Sequence, residues 1–154
     1  MATEIEKKFL VKNLDFKSLA EGIYIHQGFL NTEKERVVRI RITGDKGTLT
    51  IKGITRGATR SEYEYPVPVE DAREMLNELC IRPTIEKYRY HIHYEGFLWE
   101  VDEFLGENHG LVVAEIELNS EDQTFEMPDW VGEEVTDDPR YFNANLITHP
   151  YSRW

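Results

Sequence analysis

Glu4-Ile5-Glu6-Lys7-Lys8 opens a pattern in which charge returns at every second residue. In an extended strand alternate side chains share a face, so Glu4, Glu6 and Lys8 point one way. Ile5, Phe9 and Val11 lie on, or continue, the opposite face. The alternation comes back at Arg39 and Arg41, Thr50 and Lys52, and Glu62 and Glu64. It comes back again at Lys87 and Arg89, Glu100 and Asp102, and Glu115 and Glu117. A sheet built this way gathers acids and bases on one face. Closed into a barrel, that face becomes a charged channel. Paired acids suit a divalent metal, and clustered Lys and Arg suit phosphate. The residues therefore point to a metal-dependent enzyme acting on a polyphosphate.

The same periodicity predicts strands over residues 4–11, 23–30, 37–43, 47–54, 61–67, 85–94, 97–104 and 111–118. Gly44-Asp45-Lys46-Gly47 and Glu95-Gly96 carry hairpin-turn chemistry. Ala72, Met75, Leu76 and Leu79 recur at helical spacing and predict a helix over 70–80. A short helix is expected over 16–20, and one or two more from about residue 138, where Pro139 and Pro150 punctuate the tail. Eight strands with mostly short loops favour an antiparallel barrel or a strongly curved sheet. No linker or internal repeat divides the chain, so residues 1–154 are read as one domain.

An antiparallel sheet with one wet face also alternates, without any function. Solvated faces, however, usually mix Ser, Thr, Gln and Lys. Here they carry Glu-x-Glu, Arg-x-Arg, Lys-x-Arg and Glu-x-Asp. Like charges two residues apart on a strand repel unless something neutralises them. A cation would neutralise the acids and a polyanion the bases. A Glu-x-Glu pair sets two carboxylates about 7 Å apart on one face. Mg²⁺ and Mn²⁺ need only one or two such ligands when substrate phosphates complete the shell. No Gly-rich phosphate loop followed by Lys-Ser or Lys-Thr is present, and no nucleophile elbow.

Composition narrows the partners. A net charge of −11 argues against a general nucleic-acid surface, yet leaves room for a basic pocket. No apolar run approaches a membrane span, and the charged strand pattern begins too early for a signal peptide. The lone Cys80 cannot form an internal disulfide and closes an apolar helical pattern, which suits a buried, inert thiol in a reducing, cytoplasmic setting. His91 and His93 share the Lys87 face, but no third soft ligand accompanies them, which places them at the channel mouth. Tyr63, Tyr65, Tyr88, Tyr90 and Tyr94 take the opposite parity and are expected to pack under helices outside the wall. Glu133-Glu134 and Asp137-Asp138 read as a solvated acidic surface.

The opening Glu4-x-Glu6-x-Lys8 resembles the signature of the CYTH superfamily, the triphosphate tunnel metalloenzymes. The likeness continues through Arg39-x-Arg41, Leu49-Thr50-Ile51-Lys52-Gly53, Glu62-Tyr63-Glu64-Tyr65 and Glu86-Lys87-Tyr88-Arg89. Trp99-Glu100-Val101-Asp102-Glu103-Phe104, Ala114-Glu115-Ile116-Glu117-Leu118 and residues 143–154 complete it. The resemblance implies a mainly β, α+β fold: a closed eight-stranded antiparallel tunnel with helices outside and at the carboxy terminus. It implies hydrolysis or cyclisation of a small-molecule triphosphate with Mg²⁺ or Mn²⁺. Inorganic triphosphatase fits best. A class IV adenylyl cyclase, a hydrolase of another triphosphate such as thiamine triphosphate, and a non-catalytic polyphosphate-binding module stay open. No nucleic acid or membrane partner is implied, and the oligomeric state is left open.

Carried over by position, Glu4, Glu6, Glu115 and Glu117 resemble metal ligands. Glu62, Glu64 and Asp102 are candidates for a second ion or for orienting water. Lys8, Arg39, Arg41, Lys52, Lys87 and Arg89 resemble the triphosphate clamp, and Lys8, Glu4 and Glu6 the catalytic group. Arg60 shares the parity of Glu62 and stands either with the clamp or in a loop. Phe29 occupies a place where relatives often carry Tyr, which weakens any Tyr–Lys route and favours metal-assisted activation of water.

Overall fold

Nine strands and one α-helix make up the regular structure of the computed structural model, which describes residues 2–154. The strands are β1 (Thr3–Val11), β2 (Ile23–Asn31), β3 (Val37–Thr43), β4 (Lys46–Lys52) and β5 (Thr59–Val67), followed by β6 (Ile85–Tyr94), β7 (Phe97–Phe104), β8 (Val112–Glu117) and β9 (Val131–Glu134). The helix α1 (Val69–Glu78) lies between β5 and β6. Hydrogen bonds link the strands in the order β5-β4-β3-β2-β6-β7-β8-β1, all antiparallel, and Thr3–Ile5 of β1 pairs back to β5. Eight strands therefore close a barrel. The ninth, β9, pairs with the far end of β1 at Phe9 and Val11.

Register carries the sequence alternation into three dimensions. Glu6 lies opposite Glu117 and Lys8 opposite Glu115. Glu115 faces Glu100, Asp102 faces Arg89, and Ile25 faces Lys87. Gln27 faces Arg41, Arg39 faces Thr50, and Lys52 faces Glu62. Pairs directly opposite point to one side of a sheet, so a single inward face holds all fourteen of the charged residues expected there. Two-residue turns help set this register. Glu95 and Gly96 both have positive φ, as a tight hairpin between β6 and β7 requires.

The outward face is covered unevenly. On one side Phe9, Tyr90, Ile92, Trp99, Val101, Ala114 and Ile116 bury against Phe16 and Trp130. On the other, α1 lays Ala72 and Leu76 over Ile40, with Cys80 closing its end. Gly28 and Gly47 permit that approach, since a Cβ at either would lie 2.9 Å from Cys80 or Ala72. Glu70 and Asp71 in the first turn complement the helix dipole. A third apolar cluster sits at one end of the barrel. There Phe29, Val37, Ile85, Phe104 and Val113 meet Tyr141, Leu146 and Ile147 of the chain's last segment.

Three expectations change. The tail from residue 138 forms only 3-10 turns, Pro139–Tyr141, Asn143–Leu146 and Tyr151–Arg153, with Pro139 and Pro150 lacking the donors a continuous helix needs. The predicted 16–20 helix is likewise a 3-10 turn, Asp15–Ser18. The outer tyrosines do not all pack under helices: Tyr90 is buried on Phe16, while Tyr63, Tyr65 and Tyr88 stay exposed because α1 lies over β3 and β4 instead. Strand β9 escapes the alternation test, being four residues long with a central Gly132. Glu133 and Glu134 within it are nevertheless exposed, as a solvated acidic surface should be.

Cys80 is buried, and that burial pushes its thiol pKa up. A thiol-specific colorimetric reagent is expected to react with it far more slowly in native than in denatured protein. Equal rates would show the thiol to be accessible.

Candidate active site

The barrel encloses a cavity of about 480 Å³. Seven carboxylates line it: Glu4, Glu6, Glu62, Glu64, Glu100, Glu115 and Glu117. Seven cations do so as well: Lys8, Lys34, Arg39, Arg41, Lys52, Arg60 and Arg89. The interior is thus balanced inside a chain whose net charge is −11. At the apolar end the lining passes to Phe29, Val37, Phe142, Asn143 and Ala144.

Strand β1 supplies the centre. The Lys8 ammonium donates to Glu115 at 2.6 Å and to Glu6 at 2.7 Å. Burial works against this ammonium, but Glu115 and Glu6 more than offset it and hold its pKa above the ordinary lysine value. Burial would raise the Glu6 carboxyl too, yet Lys8 helps bring it below the ordinary glutamate value. Next to it, Lys52 donates to Glu4 at 3.0 Å and lies 3.3 Å from Glu62. Glu4 goes the other way. Burial, then its hydrogen bond with Glu62, raises its pKa despite Lys52. Burial also raises Glu117, with Glu4 and Glu100 adding to the effect. Glu4 and Glu117 are thus short of positive charge, whereas Glu62, whose pKa is lowered by its hydrogen bond with Glu4 and by Lys52, is not.

Strand β3 presents the opposite deficit. Arg39 donates to the Thr50 hydroxyl at 3.2 Å and reaches Glu64 only at 3.7 Å. Its buried Nε has no hydrogen-bond partner among the described residues. Arg41 donates from Nε to Gln27 at 2.8 Å, and among the described residues it makes no ion pair. Burial lowers the pKa of both guanidiniums. Arg89 adds to this for Arg39, and Arg39 with Arg89 for Arg41. Guanidinium stays charged in proteins, so these shifts mark cations that an incoming anion would stabilise.

Lys87 and Asp102 are placed differently from expectation. Both side chains are 1% exposed and neither lines the cavity. Lys87 donates to Asn143 at 2.9 Å and pairs with Asp102 at 2.7 Å. Asp102 also accepts from Arg89 through Nε at 2.7 Å and Nη2 at 2.9 Å. Burial would raise Asp102, but Arg89 and Lys87 bring it down to about 2. Asp102 has its oxygens taken up by Arg89 and Lys87, and Lys87 stands behind the cavity wall. Arg60 joins the lining, opposite Glu4, and donates to the Gly53 carbonyl. His91 faces Glu100 at 3.2 Å from an exposed position and does not line the cavity. Phe29 does line the cavity, and its ring offers no proton.

Sequence reasoning missed Gln27, Lys34, Phe142 and the specific use of Asn143. Gln27 shares the parity of Phe29 on β2, a signal that was present but uncharged. Lys34 lies in a loop, and Phe142 and Asn143 in a turn segment, where periodicity says nothing.

Among the described residues, no three carboxylates, imidazoles or thiols already converge on a metal position. The donor set is nonetheless all oxygen. Two neighbouring strands present it, with Glu6 opposite Glu117. That suits a hard divalent cation taking one or two carboxylates together with phosphate oxygens and water.

The CYTH domain model matches residues 2–151. An inorganic triphosphatase of Acetivibrio thermocellus is 54% identical over 154 residues, covering 100% of this chain and 99% of that protein. An inorganic triphosphatase of Nitrosomonas europaea is 38% identical over 148 residues, covering 94% and 96%. A crystal structure of an inorganic triphosphatase superposes with a TM-score of 0.67 at 36% identity, covering 96% of this chain and 95% of that one. A Hippeastrum protein with 15% identity and a TM-score of 0.60 shares the fold. The closed barrel and the match along almost its entire length agree: this chain belongs to the CYTH family.

Proposed function

We propose that this protein is an inorganic triphosphatase that hydrolyses tripolyphosphate to pyrophosphate and orthophosphate with Mg²⁺ or Mn²⁺. One observation carries the reading. A single cavity holds arginines short of anions, Arg39 and Arg41, beside carboxylates short of cations, Glu4 and Glu117. A triphosphate with a divalent cation satisfies both. The relatives named inorganic triphosphatase support the same substrate.

In this mechanism Arg39, Arg41 and Arg89 hold the phosphate chain, and Lys8 and Lys52 act as point charges along it. Glu4, Glu6, Glu115 and Glu117 would hold the cation, with Glu62 and Glu64 near a second one or near the attacking water. A divalent ion held there would neutralise phosphate oxygens and make water a better nucleophile at neutral pH. Binding that ion requires Glu6 and Glu115 to share Lys8 with substrate oxygens, so substrate and cation assemble the site together. Water attacks a terminal phosphorus in line. The new bond is P–O to water, the broken bond joins that phosphorus to its bridging oxygen, and pyrophosphate leaves. The chain contributes positioning and fixed charge, not a covalent intermediate. Phe29 cannot relay a proton, which keeps the weight on water activation.

We place the reaction in the cytoplasm, with the chain acting as one domain on a small molecule and without a nucleic-acid or membrane partner. The lone buried thiol suits that compartment, and no helix of the described residues is long and apolar enough to cross a membrane. The test is product analysis. The purified protein is incubated with tripolyphosphate and separately with ATP, each with Mg²⁺, Mn²⁺ or chelator. Cation-dependent orthophosphate release, much faster from tripolyphosphate, is the expected result. Cyclic AMP and pyrophosphate from ATP would replace this reading with a cyclase. Tight binding without turnover would replace it with a binding module.

A further inference from the structure

Asn143 sits in the short turn Asn143–Leu146, inside the segment that closes the apolar end of the barrel. Its Oδ1 accepts two hydrogen bonds, from Gln27 Nε2 at 2.8 Å and from Lys87 Nζ at 2.9 Å. Each leads to an arginine of the cavity. Gln27 passes through its own Oε1 to Arg41 Nε at 2.8 Å. Lys87 passes through Asp102, at 2.7 Å, to the two-bond grip on Arg89. The amide orientations are forced. Arg only donates, so Gln27 must turn its oxygen to Arg41, and the Asn143 oxygen is the atom that Lys87 also reaches. That leaves the Gln27 NH₂ facing the Asn143 oxygen, as found. Gln27 and Lys87 are 0% and 1% exposed, so in the folded protein the Asn143 oxygen is a partner that both share.

We infer that Asn143 is a positioning residue, which holds Arg41 and Arg89 in their working orientation and makes that orientation depend on closure of the barrel by the last segment. Tyr141, Leu146 and Ile147 anchor the turn in the apolar cluster. A barrel whose end is not closed therefore loses the acceptor that aims both arginines. This rests on the triphosphatase reading only for its consequence in turnover; the hydrogen-bond relay is independent of it.

The experiment compares the wild type with Asn143→Ala, Asn143→Asp, Gln27→Ala and the Asn143→Ala/Gln27→Ala double variant. Tripolyphosphate turnover is measured at saturating Mg²⁺, and hydrogen exchange is followed at Arg41 Nε–H by NMR. Arg41 and Arg89 keep their charge in every variant, so attraction for the anion survives while orientation is lost. Asn143→Ala is expected to lower kcat by about 100-fold with a smaller change in KM. Asn143→Asp, which still accepts both bonds, recovers most of that loss. The double variant loses no more than Asn143→Ala, because both substitutions act on Arg41 through one relay. Exchange at Arg41 Nε–H accelerates in Asn143→Ala and in Gln27→Ala. Unchanged kcat and exchange in Asn143→Ala, an aspartate no better than alanine, or additive losses would each overturn the inference. Should Asn143→Ala not fold, Gln27→Ala alone decides, since unchanged Arg41 exchange there removes the relay. An inactive wild type with the predicted exchange pattern would instead sink the triphosphatase reading and leave the relay standing.

Discussion

Asp102→Asn is expected to destabilise the protein by about 3–5 kcal/mol, the range for removing one partner of a buried ion pair. Asp102 is 1% exposed and accepts from Lys87 and twice from Arg89. Asparagine keeps the shape but removes the charge, and leaves Arg89 without its paired carboxylate and Lys87, whose pKa burial already brings down to about 7, without the anion that raises it. Chemical denaturation at neutral pH measures the loss; a change below about 1 kcal/mol would show that the cations find other partners. Pairing Asp102→Asn with Lys87→Met removes the buried amine left without its partner and should recover part of the loss. The pH dependence has a definite sign. The folded-state pKa of Asp102 is depressed to about 2 from 3.8. Its stabilisation is therefore present above the unfolded value and lost as pH falls from about 4 through about 2. The asparagine variant should lack that acid transition.

Glu4→Gln is expected to cut turnover by about 10²–10³-fold while leaving the fold intact. The carboxylate is one of those placed to hold a cation, and glutamine cannot supply its charge. Its pKa is raised, first by burial and then by Glu62. A raised acid favours the protonated folded state, so its stabilising contribution is lost as pH rises through the folded pKa, which lies above 4.5. The glutamine variant escapes that loss. In chelator near neutral pH it should melt no lower than wild type, and above it if the relief outweighs the lost Lys52 pair at 3.0 Å. Unimpaired turnover would remove Glu4 from the cation site. A collapse in melting temperature would mean that the Lys52 pair holds the barrel together.

Separating these two variants matters because the acids of the channel do different work. Asp102 is saturated with donors and supports Arg89; Glu4 is undersupplied and faces the cavity. Strand parity treats them alike. Both alternate with apolar neighbours on an inward face, and nothing in Glu-x-Asp or Glu-x-Glu tells which carboxylate is covered. Depth within the barrel makes that distinction. Phe104, the next inward residue after Asp102 on β7, belongs to the apolar end with Leu146 and Ile147. Asp102 lies next to that cluster, while Glu100, two residues back, reaches the cavity.

The chain's alternation by itself determined the eight barrel strands, the inward face and nearly every charged residue on it, because a period of two survives any closure of the sheet. Turn chemistry at Gly44-Asp45 and Glu95-Gly96 determined which strands are neighbours in hairpins. Tertiary structure decided the rest. It brought Thr3–Ile5 back to β5 to close the barrel, a contact between residues more than fifty positions apart. It sorted inward charges into those that line the cavity and those behind it. It also turned a proline-broken tail into the wall that closes the barrel and into the acceptor on which Gln27 and Lys87 converge. Local pattern encodes which way a side chain points. How deep it lies, and what lies against it, depends on segments distant in the chain, whose approach is set by packing and not by periodicity.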